Sequence, residues 1–465
     1  MILYDGKTYE SSEQDRLLSE LEQKIPELLA REPLSPEVVI EAVECLREDL
    51  LEGKFDDLLS SFPKDTVDSY KRQATLLLSK EHMHQKLATE LGNTEEYVTD
   101  PVEGFARIRV RKMPLGVLFH ISAGNMDFLP AYSLAEGLMT GNINILKLPS
   151  ADNGLSLKLI LQLIEYRPTL KDYIYVFDTA STDIQGMKKM AGLSHAISVW
   201  GSDMAISALR EMAPTGAKII EWGQKLGFCY ISGYSFLEDI QTGENHKTSS
   251  ENDHDHNQTI TTDGIIPKTN LLSINSELVS LARHIATTRQ LLCSSCQVIY
   301  LDTENMTEVR AFAEHFLPLL EEAVSGHASE DIGIRARDTL LSYTQRLKQY
   351  LGTEEKKENV LTGRGVSLIL GTDSALELSP MMGNVLVKPL PRHKLPEVLY
   401  RHRHHLQTAG LICPEDEREK LSSLLIHCGL VRVTKAGDMS EYFSGECHDG
   451  EYALGRYMRV VNVEE

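Results

Sequence analysis

The stretch that decides the fold is residues 116–150, GVLFHISAGNMDFLPAYSLAEGLMTGNINILKLPS. It opens with an apolar run, 116–121, that is typical of a buried strand, and it closes with a second such run, 142–148. Between the two runs, after a short turn, residues 128–141 are typical of a helix. Strand, helix and strand at this spacing predict a parallel sheet that is wound on both faces and binds ligands at the carboxyl ends of its strands.

The same alternation continues along the chain. In the first block it predicts helices at 154–168 and 183–192 and strands at 173–179 and 195–201. In a second block it predicts a helix at 278–292, a strand at 297–303, a helix at 306–324 and further elements after 384. The sequence therefore predicts two doubly wound α/β blocks.

Composition and charge narrow the classes of partner. The 465 residues are 42% hydrophobic and 25% charged, which is ordinary for a globular protein. A formal net charge of −21 repels polyanions, so we expect no nucleic-acid partner. No apolar run reaches the roughly 18–20 residues that a membrane span needs, and the first residues lack the pattern of a secretory signal. Seven cysteines at irregular spacing predict free thiols, so we expect a cytoplasmic protein.

Two cysteines stand close together in RQLLCSSCQV, residues 289–298, between a predicted helix and a predicted strand. A zinc half-site at Cys293 and Cys296 is disfavoured, because the sequence has no second Cys-x-x-Cys pair. A thioredoxin-like redox pair is also disfavoured, because such a pair opens a helix after a strand, the reverse of the order here. A buried structural cysteine and a nucleophilic thiol on a loop remain as interpretations.

Polar residues follow several of the predicted strands. Asn125 could hold an oxyanion with its amide or could stabilise its own turn. Lys147 ends the next strand, where an ammonium would meet a ribose or a phosphate. Gly201 and Ser202 begin a helix whose N–H groups can receive phosphate, although the repeated glycines of the usual dinucleotide fingerprint are missing. Glu221 follows a further strand and could act as a general acid or base or as an orienting carboxylate.

The order of these residues, Asn, Lys, Gly-Ser, Glu-x-Gly-x-Lys and then Cys, resembles that of the aldehyde dehydrogenase superfamily. Within it, the chain resembles the LuxC-type acyl-CoA reductases. The stretches that carry this resemblance are MPLGVLFHISAGN at 113–125, GNINILKLPS at 141–150, LARHIATTRQLLCSSCQ at 281–297 and HDG at 448–450. The implied fold class is α/β and aldehyde dehydrogenase-like, with two doubly wound α/β domains and a helical N-terminal region.

The resemblance also implies roles for the matched residues. Cys293 would be the nucleophile, and Asn125 with the backbone N–H of Cys293 would form the oxyanion hole. Glu221 matches the superfamily's mobile carboxylate. Contacts with the cofactor, at the adenosine ribose or its phosphate and near the pyrophosphate, are implied for Lys147, Gly201 and Ser202.

The implied domains are a helical N-terminal region, a dinucleotide-binding domain, a catalytic domain with the nucleophilic cysteine and a C-terminal segment, at residues 1–100, 101–265, 266–430 and 431–465. Part of the first region and the last segment are expected to pack on the dinucleotide-binding domain. The stretch 242–264 is polar and poor in large apolar residues, and we read it as an exposed excursion.

Two positions and one interval depart from the pattern of the relatives. Cys296 stands where LuxC-type chains commonly have proline. No glycine occurs five residues after Gly201, where many aldehyde dehydrogenases have one. The interval between Glu221 and Cys293 is longer than is usual in the hydrolytic enzymes.

The choice of cofactor depends on the position three residues after Lys147, where NAD-preferring relatives often have a glutamate that repels a 2′-phosphate. Ser150, which occupies that position here, is neutral and can donate a hydrogen bond. Asp152, two residues further on, opposes a phosphate. We therefore expect NADPH, with NADH as the alternative.

The resemblance implies reduction of an acyl-CoA thioester, with a fatty acyl group, to an aldehyde through an acyl group on Cys293. The acyl group is expected to arrive as the CoA ester or from an acyl-transferring or acyl-activating partner enzyme. Two alternatives stay open: a dehydrogenase that oxidises an aldehyde to a carboxylate with water activated by Glu221, and a non-catalytic cofactor-binding subunit. We also expect a homo-oligomer, with a terminal strand at 457–465 pairing across subunits.

Three histidine-bearing features have simpler interpretations than a ligand site, and we predict no metal site. DHDH at 253–256 belongs to the polar stretch and reads as solvated. RHRHH at 401–405 could attract the phosphates of coenzyme A but reads first as a basic, exposed helix face. His120, on an apolar strand, is predicted to be an interior histidine with hydrogen-bond partners.

Overall fold

A computed structural model describes residues 1–60, 64–92, 97–98, 106–123, 128–149, 154–237, 268–325, 359–443 and 445–464, with isolated helical residues at 336, 340, 343, 344 and 347. The polar stretch 242–264, with its DHDH motif, lies outside these residues. The chain divides into two units, Met1–Gln224 with Tyr442–Glu465 and Lys225–Glu441. This boundary precedes the one expected at 265, because the strand Leu226–Ile231 pairs with two strands of the second unit.

The first unit is built on a sheet with a parallel centre. Its strands are β1 Ile2–Tyr4, β2 Lys7–Tyr9, β3 Tyr97–Val98, β4 Ile108–Pro114, β5 Val117–Ile121, β6 Ile143–Lys147, β7 Ile174–Phe177, β8 Ala196–Trp200, β9 Lys218–Trp222 and, near the end of the chain, β17 Met458–Glu464. Seven of them form a sheet in the order β2-β1-β7-β6-β5-β8-β9. The strands from β7 to β9 in this order are parallel, as the alternation of elements predicts.

Helices cover both faces of this sheet. They are α1 Gln14–Leu29, α2 Pro36–Leu51, α3 Asp56–Leu59, α4 Lys64–Leu77, α5 Lys80–Leu91, α6 Leu129–Met139, α7 Leu155–Tyr166, α8 Ile184–Leu193, α9 Asp203–Met212 and α14 Ala453–Arg456. Along β7, Ile174 and Val176 pack with α2, α6 and α7, whereas Tyr175 and Phe177 pack with α1, α8 and α9. Since alternate residues of a strand face opposite ways, the sheet is doubly wound, as predicted.

The N-terminal region is mainly helical from residue 14 on, but the residues before it form the strands β1 and β2. Ile2, Leu3 and Tyr4 are buried, and β1 pairs antiparallel with β7 through Leu3 and Val176. β1 brings these apolar side chains into the core by pairing with β7, and β1 and β2 thereby extend the sheet by two strands. α2 begins with Pro36 as its first residue, a position where the missing N–H of proline costs nothing.

A buried ionic cluster ties the N-terminal helices to the rest of the first unit. The Lys86 ammonium on α5 contacts the carboxylates of Glu90 and, at 3.1 Å, of Glu136 on α6. The other oxygen of Glu90 accepts a 2.8 Å hydrogen bond from the backbone N–H of Leu454, in the C-terminal segment. Because buried charges are costly unless they are paired, this cluster fixes α5, α6 and the C-terminal segment together.

The second unit repeats the doubly wound pattern. Its strands are β10 Leu226–Ile231, β11 Cys296–Leu301, β12 Val360–Gly363, β13 Val366–Leu370, β14 Asn384–Pro389, β15 Leu406–Ile412 and β16 Arg432–Lys435, and its helices are α10 Lys268–Thr288, α11 Met306–Ser325, α12 Leu395–Arg401 and α13 Glu415–His427. The sheet order is β12-β13-β14-β11-β10-β15-β16, parallel except for the β12–β13 pair. α10 and α11 pack on one face, and α12 and α13 on the other.

A small third sheet, in the order β17-β4-β3, belongs to the first unit. β17 pairs antiparallel with β4 from Met458 opposite Pro114 to Glu464 opposite Ile108. β17 is an edge strand of this sheet, and its pairing with a second subunit stays a prediction. Within the described part of the chain, no helix is both long enough and apolar enough to cross a membrane.

Candidate active site

The loop between α10 and β11 carries Cys293 and is held by a buried amide. Arg289 and Gln290 have φ values of 50° and 63°, an uncommon left-handed conformation for residues with a side chain. Gln290 is fully buried, and its Nε2 donates hydrogen bonds to the backbone oxygen of Cys296 at 3.1 Å and to Ser379 Oγ at 2.8 Å. Its Oε1 accepts from the N–H of Gly383 at 3.1 Å. These contacts hold the turn in its strained conformation and fix where the loop begins.

The Cys293 thiol is only partly buried, and it contacts β15. Gln407 Nε2, in the second residue of that strand, donates a hydrogen bond to Cys293 Sγ at 3.4 Å. On the neighbouring strand β10, a Cβ atom at Gly227 would lie 2.6 Å from the carbonyl oxygen of Ser295 and 2.7 Å from that of Ser294. Glycine therefore lets the loop approach β10 closely, and the strand register shifts at this point, as at many sites near functional residues.

Cys296 has a different environment from Cys293. It is the first residue of β11, it is fully buried beside Cys229 in the core, and burial raises the pKa of its thiol to about 12. A thiol with this pKa stays protonated near neutral pH and is a poor nucleophile and a poor metal ligand. The structure therefore favours the interpretation of one partly exposed thiol, Cys293, with a buried neighbour, Cys296.

The first sheet places Lys147 at the carboxyl end of β6. Its side chain is 4% exposed, and its Nζ donates a 3.2 Å hydrogen bond to Ser181 Oγ, in the loop after β7. Burial lowers the pKa of Lys147, although the nearby carboxylate of Asp178 acts in the opposite direction. A desolvated ammonium at a strand end is suited to bind a hydroxyl or a phosphate oxygen.

Gly201 and Ser202 connect β8 to α9. Ser202 is the N-cap of α9, and its Oγ accepts from the N–H of Ala205 at 3.4 Å. The N–H of Gly201 donates to the carbonyl oxygen of Trp222 at 3.3 Å, which joins the ends of β8 and β9. The helix therefore begins at the carboxyl edge of the sheet, where its N-terminal N–H groups and dipole favour an anion.

Glu221 lies near the end of β9 and is ion-paired. Both of its oxygens accept from the Arg210 guanidinium on α9, at 2.5 Å from Nε and 2.7 Å from Nη2. The carboxylate raises the pKa of Arg210 through this contact. The sequence predicts a general acid or base or an orienting carboxylate, and the structure shows a carboxylate whose two oxygens both accept hydrogen bonds from Arg210.

An aromatic cluster that the sequence did not predict adjoins these strand ends. Trp200 and Trp222, the two tryptophans of the chain, stack with ring centroids 5.2 Å apart. His448 of the HDG stretch packs on both, at 4.9 Å and 5.2 Å. The Trp200 Nε1 atom is buried, and no described residue provides a hydrogen-bond acceptor for it. Two tryptophans at corresponding positions of successive strands were the signal that could have revealed this cluster.

The predicted site residues thus fall into two groups. Lys147, Gly201, Ser202 and Glu221 lie at or near the carboxyl ends of strands of the first sheet, and Cys293 lies in the second unit. Asn125 and Ser150 lie outside the described residues. His120 is an interior histidine, as predicted, since it is fully buried and bonds to Ser133 Oγ and Asn144 Oδ1 at 2.9 Å each. Gln407, Gly227 and Gln290 were not predicted, because each is a single residue in an ordinary strand or turn.

Comparison with solved structures defines the class of protein first. A putative methylmalonate-semialdehyde dehydrogenase from Sinorhizobium meliloti, solved with NAD, matches with a TM-score of 0.67 and 13% identity over 100% of this chain and 97% of that chain. The glyceraldehyde-3-phosphate dehydrogenase of Methanocaldococcus jannaschii, solved with NADP, matches with a TM-score of 0.62 and 11% identity over 98% and 95%. The fold is that of the aldehyde dehydrogenases, as the sequence predicted.

The family follows from the sequence itself. The family model described as acyl-CoA reductase (LuxC) matches residues 39–460, and the chain belongs to that family. A long-chain acyl-protein thioester reductase of Vibrio harveyi is 21% identical over 398 residues, which are 84% of this chain and 72% of that protein. One from Photobacterium phosphoreum is 26% identical over 401 residues, 84% and 70% of the two chains. The predicted resemblance to LuxC-type reductases is thereby confirmed.

Proposed function

We propose that this protein reduces an acyl thioester to an aldehyde, with Cys293 as covalent nucleophile and a nicotinamide dinucleotide as hydride donor. Membership of the acyl-CoA reductase family supports the reaction class, and relatives named long-chain acyl-protein thioester reductase support a long acyl chain. The observation that carries the assignment to Cys293 is its partly exposed thiol on a loop fixed by buried contacts, three residues before a cysteine whose thiol cannot ionise near neutral pH.

The chemistry has two stages. The Cys293 thiolate attacks the carbonyl carbon of the acyl donor, and the donor's thiol leaves, so that the acyl group becomes a thioester on Cys293. The acyl carbon then receives a hydride, which the reduced nicotinamide supplies when it is bound. The new tetrahedral oxyanion collapses, the C–S bond breaks with its electron pair on sulfur, and the aldehyde departs. We assign Asn125 and the Cys293 N–H to hold the oxyanion in both stages.

The residues of the first unit fit a dinucleotide. The buried ammonium of Lys147 suits a ribose hydroxyl or phosphate, and the N-terminus of α9, capped by Ser202, suits the pyrophosphate. Among the described residues the buried Trp200 N–H has no acceptor, as expected of a group that a ligand completes. We prefer NADPH to NADH, because Lys147 and the neutral Ser150 would tolerate a 2′-phosphate that a glutamate would repel.

Glu221 is proposed as an orienting carboxylate rather than a base. Both oxygens of Glu221 accept hydrogen bonds from the Arg210 guanidinium, and this bidentate contact fixes the orientation of the carboxylate. The acyl donor is proposed to be acyl-CoA or an acylated partner enzyme, since the named relatives act on acyl-protein thioesters.

The experiment follows NADPH consumption and aldehyde formation with a series of acyl-CoA chain lengths. We expect turnover that increases toward long chains and is absent in Cys293→Ala. The reverse reaction is run with aldehyde and NADP⁺, with and without coenzyme A. Oxidation of the aldehyde to a carboxylate without coenzyme A would instead identify a hydrolytic dehydrogenase, and no redox activity in any arm would identify a non-catalytic subunit.

A further inference from the structure

We infer that Gln407 is a catalytic residue whose side-chain amide stabilises the thiolate of Cys293. The inference rests on the proposed function for its place in the reaction, but the contact itself is a property of the second unit alone. Gln407 Nε2 lies 3.4 Å from Cys293 Sγ, and the sulfur is the atom that attacks and later leaves. The amide therefore touches a reacting atom in both stages.

The amide is buried and oriented. The side chain of Gln407 is 5% exposed, so water competes weakly for its N–H groups. Its Oε1 accepts from Thr408 Oγ1 at 3.4 Å, so the amide is held at its oxygen as well as at the sulfur contact. The backbone oxygen of Gln407 accepts from the N–H of Val431, so the residue is anchored in the sheet between β10 and β16. A donor fixed in this way needs no reorganisation when charge develops on the sulfur.

The loop that carries Cys293, the partner of the Gln407 amide, is held in place as well. The loop carbonyls of Ser294 and Ser295 lie directly over Gly227, and Gln290 anchors the start of the loop, so Cys293 cannot move far from β15. Ser294 Oγ adds a 2.8 Å hydrogen bond to Ser440 Oγ. The distance between the amide and the sulfur is therefore set by buried structure on both sides.

The effect of such a donor differs between the species of the reaction. A thiolate is a strong acceptor, whereas the sulfur of a thioester is a weak one. The hydrogen bond thus favours the thiolate before attack, and it favours the thiolate again when the C–S bond of the reduced intermediate breaks and sulfur takes the electron pair. The carbonyl carbon of an acyl group on a less basic sulfur is also more reactive toward hydride. Gln407 is expected to assist acylation and the final collapse.

The test measures the pH dependence of Cys293 alkylation by iodoacetamide, without substrate or cofactor, by mass spectrometry of the peptide that contains residue 293. In Gln407→Leu, the pH of half-maximal rate should rise by about one unit, so that alkylation at neutral pH slows about tenfold. Gln407→Glu, which keeps the size but adds a negative charge, should shift it further. Gln407→Asn, with a shorter reach, should fall between wild type and Gln407→Leu.

Other titratable or charged groups in or beside the described elements around the loop include Cys296 and the following residues: His284, Arg289, Lys225, His405 and Arg432. All of them are common to wild type and variants, so the difference between profiles reports the amide. Midpoints of guanidinium unfolding show whether each variant is folded. Should Gln407→Leu unfold, Thr408→Val, which releases the amide oxygen without changing the sulfur, gives a smaller shift in the same direction.

Coincident alkylation profiles for wild type, Gln407→Leu and Gln407→Glu would overturn the inference and indicate a purely structural residue. This outcome is distinguishable from failure of the proposed reaction. If the profiles shift but acyl-CoA and NADPH give no aldehyde, the contact stands and the reaction is wrong. If wild type makes aldehyde but the profiles coincide, the reaction stands and the role of Gln407 is wrong.

Discussion

The candidate functional residues lie at opposite edges of the two sheets. In the first unit, Lys147 ends β6 and Gly201 and Ser202 follow β8, so the candidate cofactor residues lie at the carboxyl edge. In the second, the Cys293 loop precedes β11 and touches the amino ends of β10 and β15, so the thiol lies at the amino edge. The carboxyl edge offers helix N-termini to any anion. The amino edge offers no such generic site, and placing the thiol there takes individual contacts from Gly227, Gln290 and Gln407.

The largest expected effect separates the two cysteines of the second sheet. Cys293→Ala should lower acyl reduction by at least about 10³-fold, because the nucleophile is gone. Cys296→Ala should keep turnover and lose about 1–2 kcal/mol in free energy of unfolding, because it leaves a small cavity in the core. Turnover and guanidinium unfolding of both variants check this. If Cys293→Ala kept its activity, or if a folded Cys296→Ala lost it, Cys293 would not be the nucleophile.

The next effect concerns the close approach at the amino edge. Gly227→Ala puts a Cβ against the carbonyls of Ser294 and Ser295 and should displace the thiol loop, with a loss of about 10²-fold in kcat. Affinity for NADPH should not change, since the described candidate cofactor residues belong to the first unit. Gly192→Ala on α8 is the matched control, because a Cβ there meets nothing within 4 Å. Equal kcat for both variants would mean that the loop tolerates the side chain.

Acid sensitivity compares one buried histidine from each unit. Burial lowers the pKa of His120 and of His284 to about 4. Between pH 6.5 and 4 the unfolded chain takes up protons that these folded histidines refuse, so the free energy of unfolding falls as the pH falls. Each of the two histidines should lower the free energy of unfolding by about 2 kcal/mol between pH 6.5 and pH 5.

Guanidinium unfolding at pH 7 and pH 5 measures this dependence. His120→Gln and His284→Gln should each show a smaller loss than wild type, and the exposed His404→Gln should match wild type. If both variants of the buried histidines lost as much free energy of unfolding between pH 7 and pH 5 as wild type, the folded protein would accommodate the charged imidazoles.

The smallest expected effect is at the carboxyl edge. Lys147→Met keeps the bulk of the side chain but removes the ammonium, and it should raise the Kd for NADPH about tenfold. Tryptophan fluorescence can report binding, because Trp200 and Trp222 both lie at the ends of β8 and β9. The iodoacetamide reactivity of Cys293 should stay as in wild type. An unchanged Kd would place the cofactor away from β6.

The comparison also shows how far the sequence could predict this protein. The doubly wound sheets follow from strand–helix alternation, and Lys147, Gly201 and Ser202 could be found because they stand at predicted strand ends. The strands β1 and β2, at one end of the first sheet, were missed, because segments of three residues are too short to show a periodicity. Gln407 and Gly227 were missed for a physical reason: their roles come from contacts between strands that are far apart in the sequence.

Trapping the acyl-enzyme shows whether Cys293 is the covalent nucleophile. Wild type is mixed with a long-chain acyl-CoA in the absence of reduced cofactor, and its intact mass and peptides are measured. We expect one acyl group per chain, on the peptide that contains Cys293, and its release as aldehyde when NADPH is added. Acylation of any other residue, or aldehyde formation by a Cys293→Ala variant without an adduct, would contradict it.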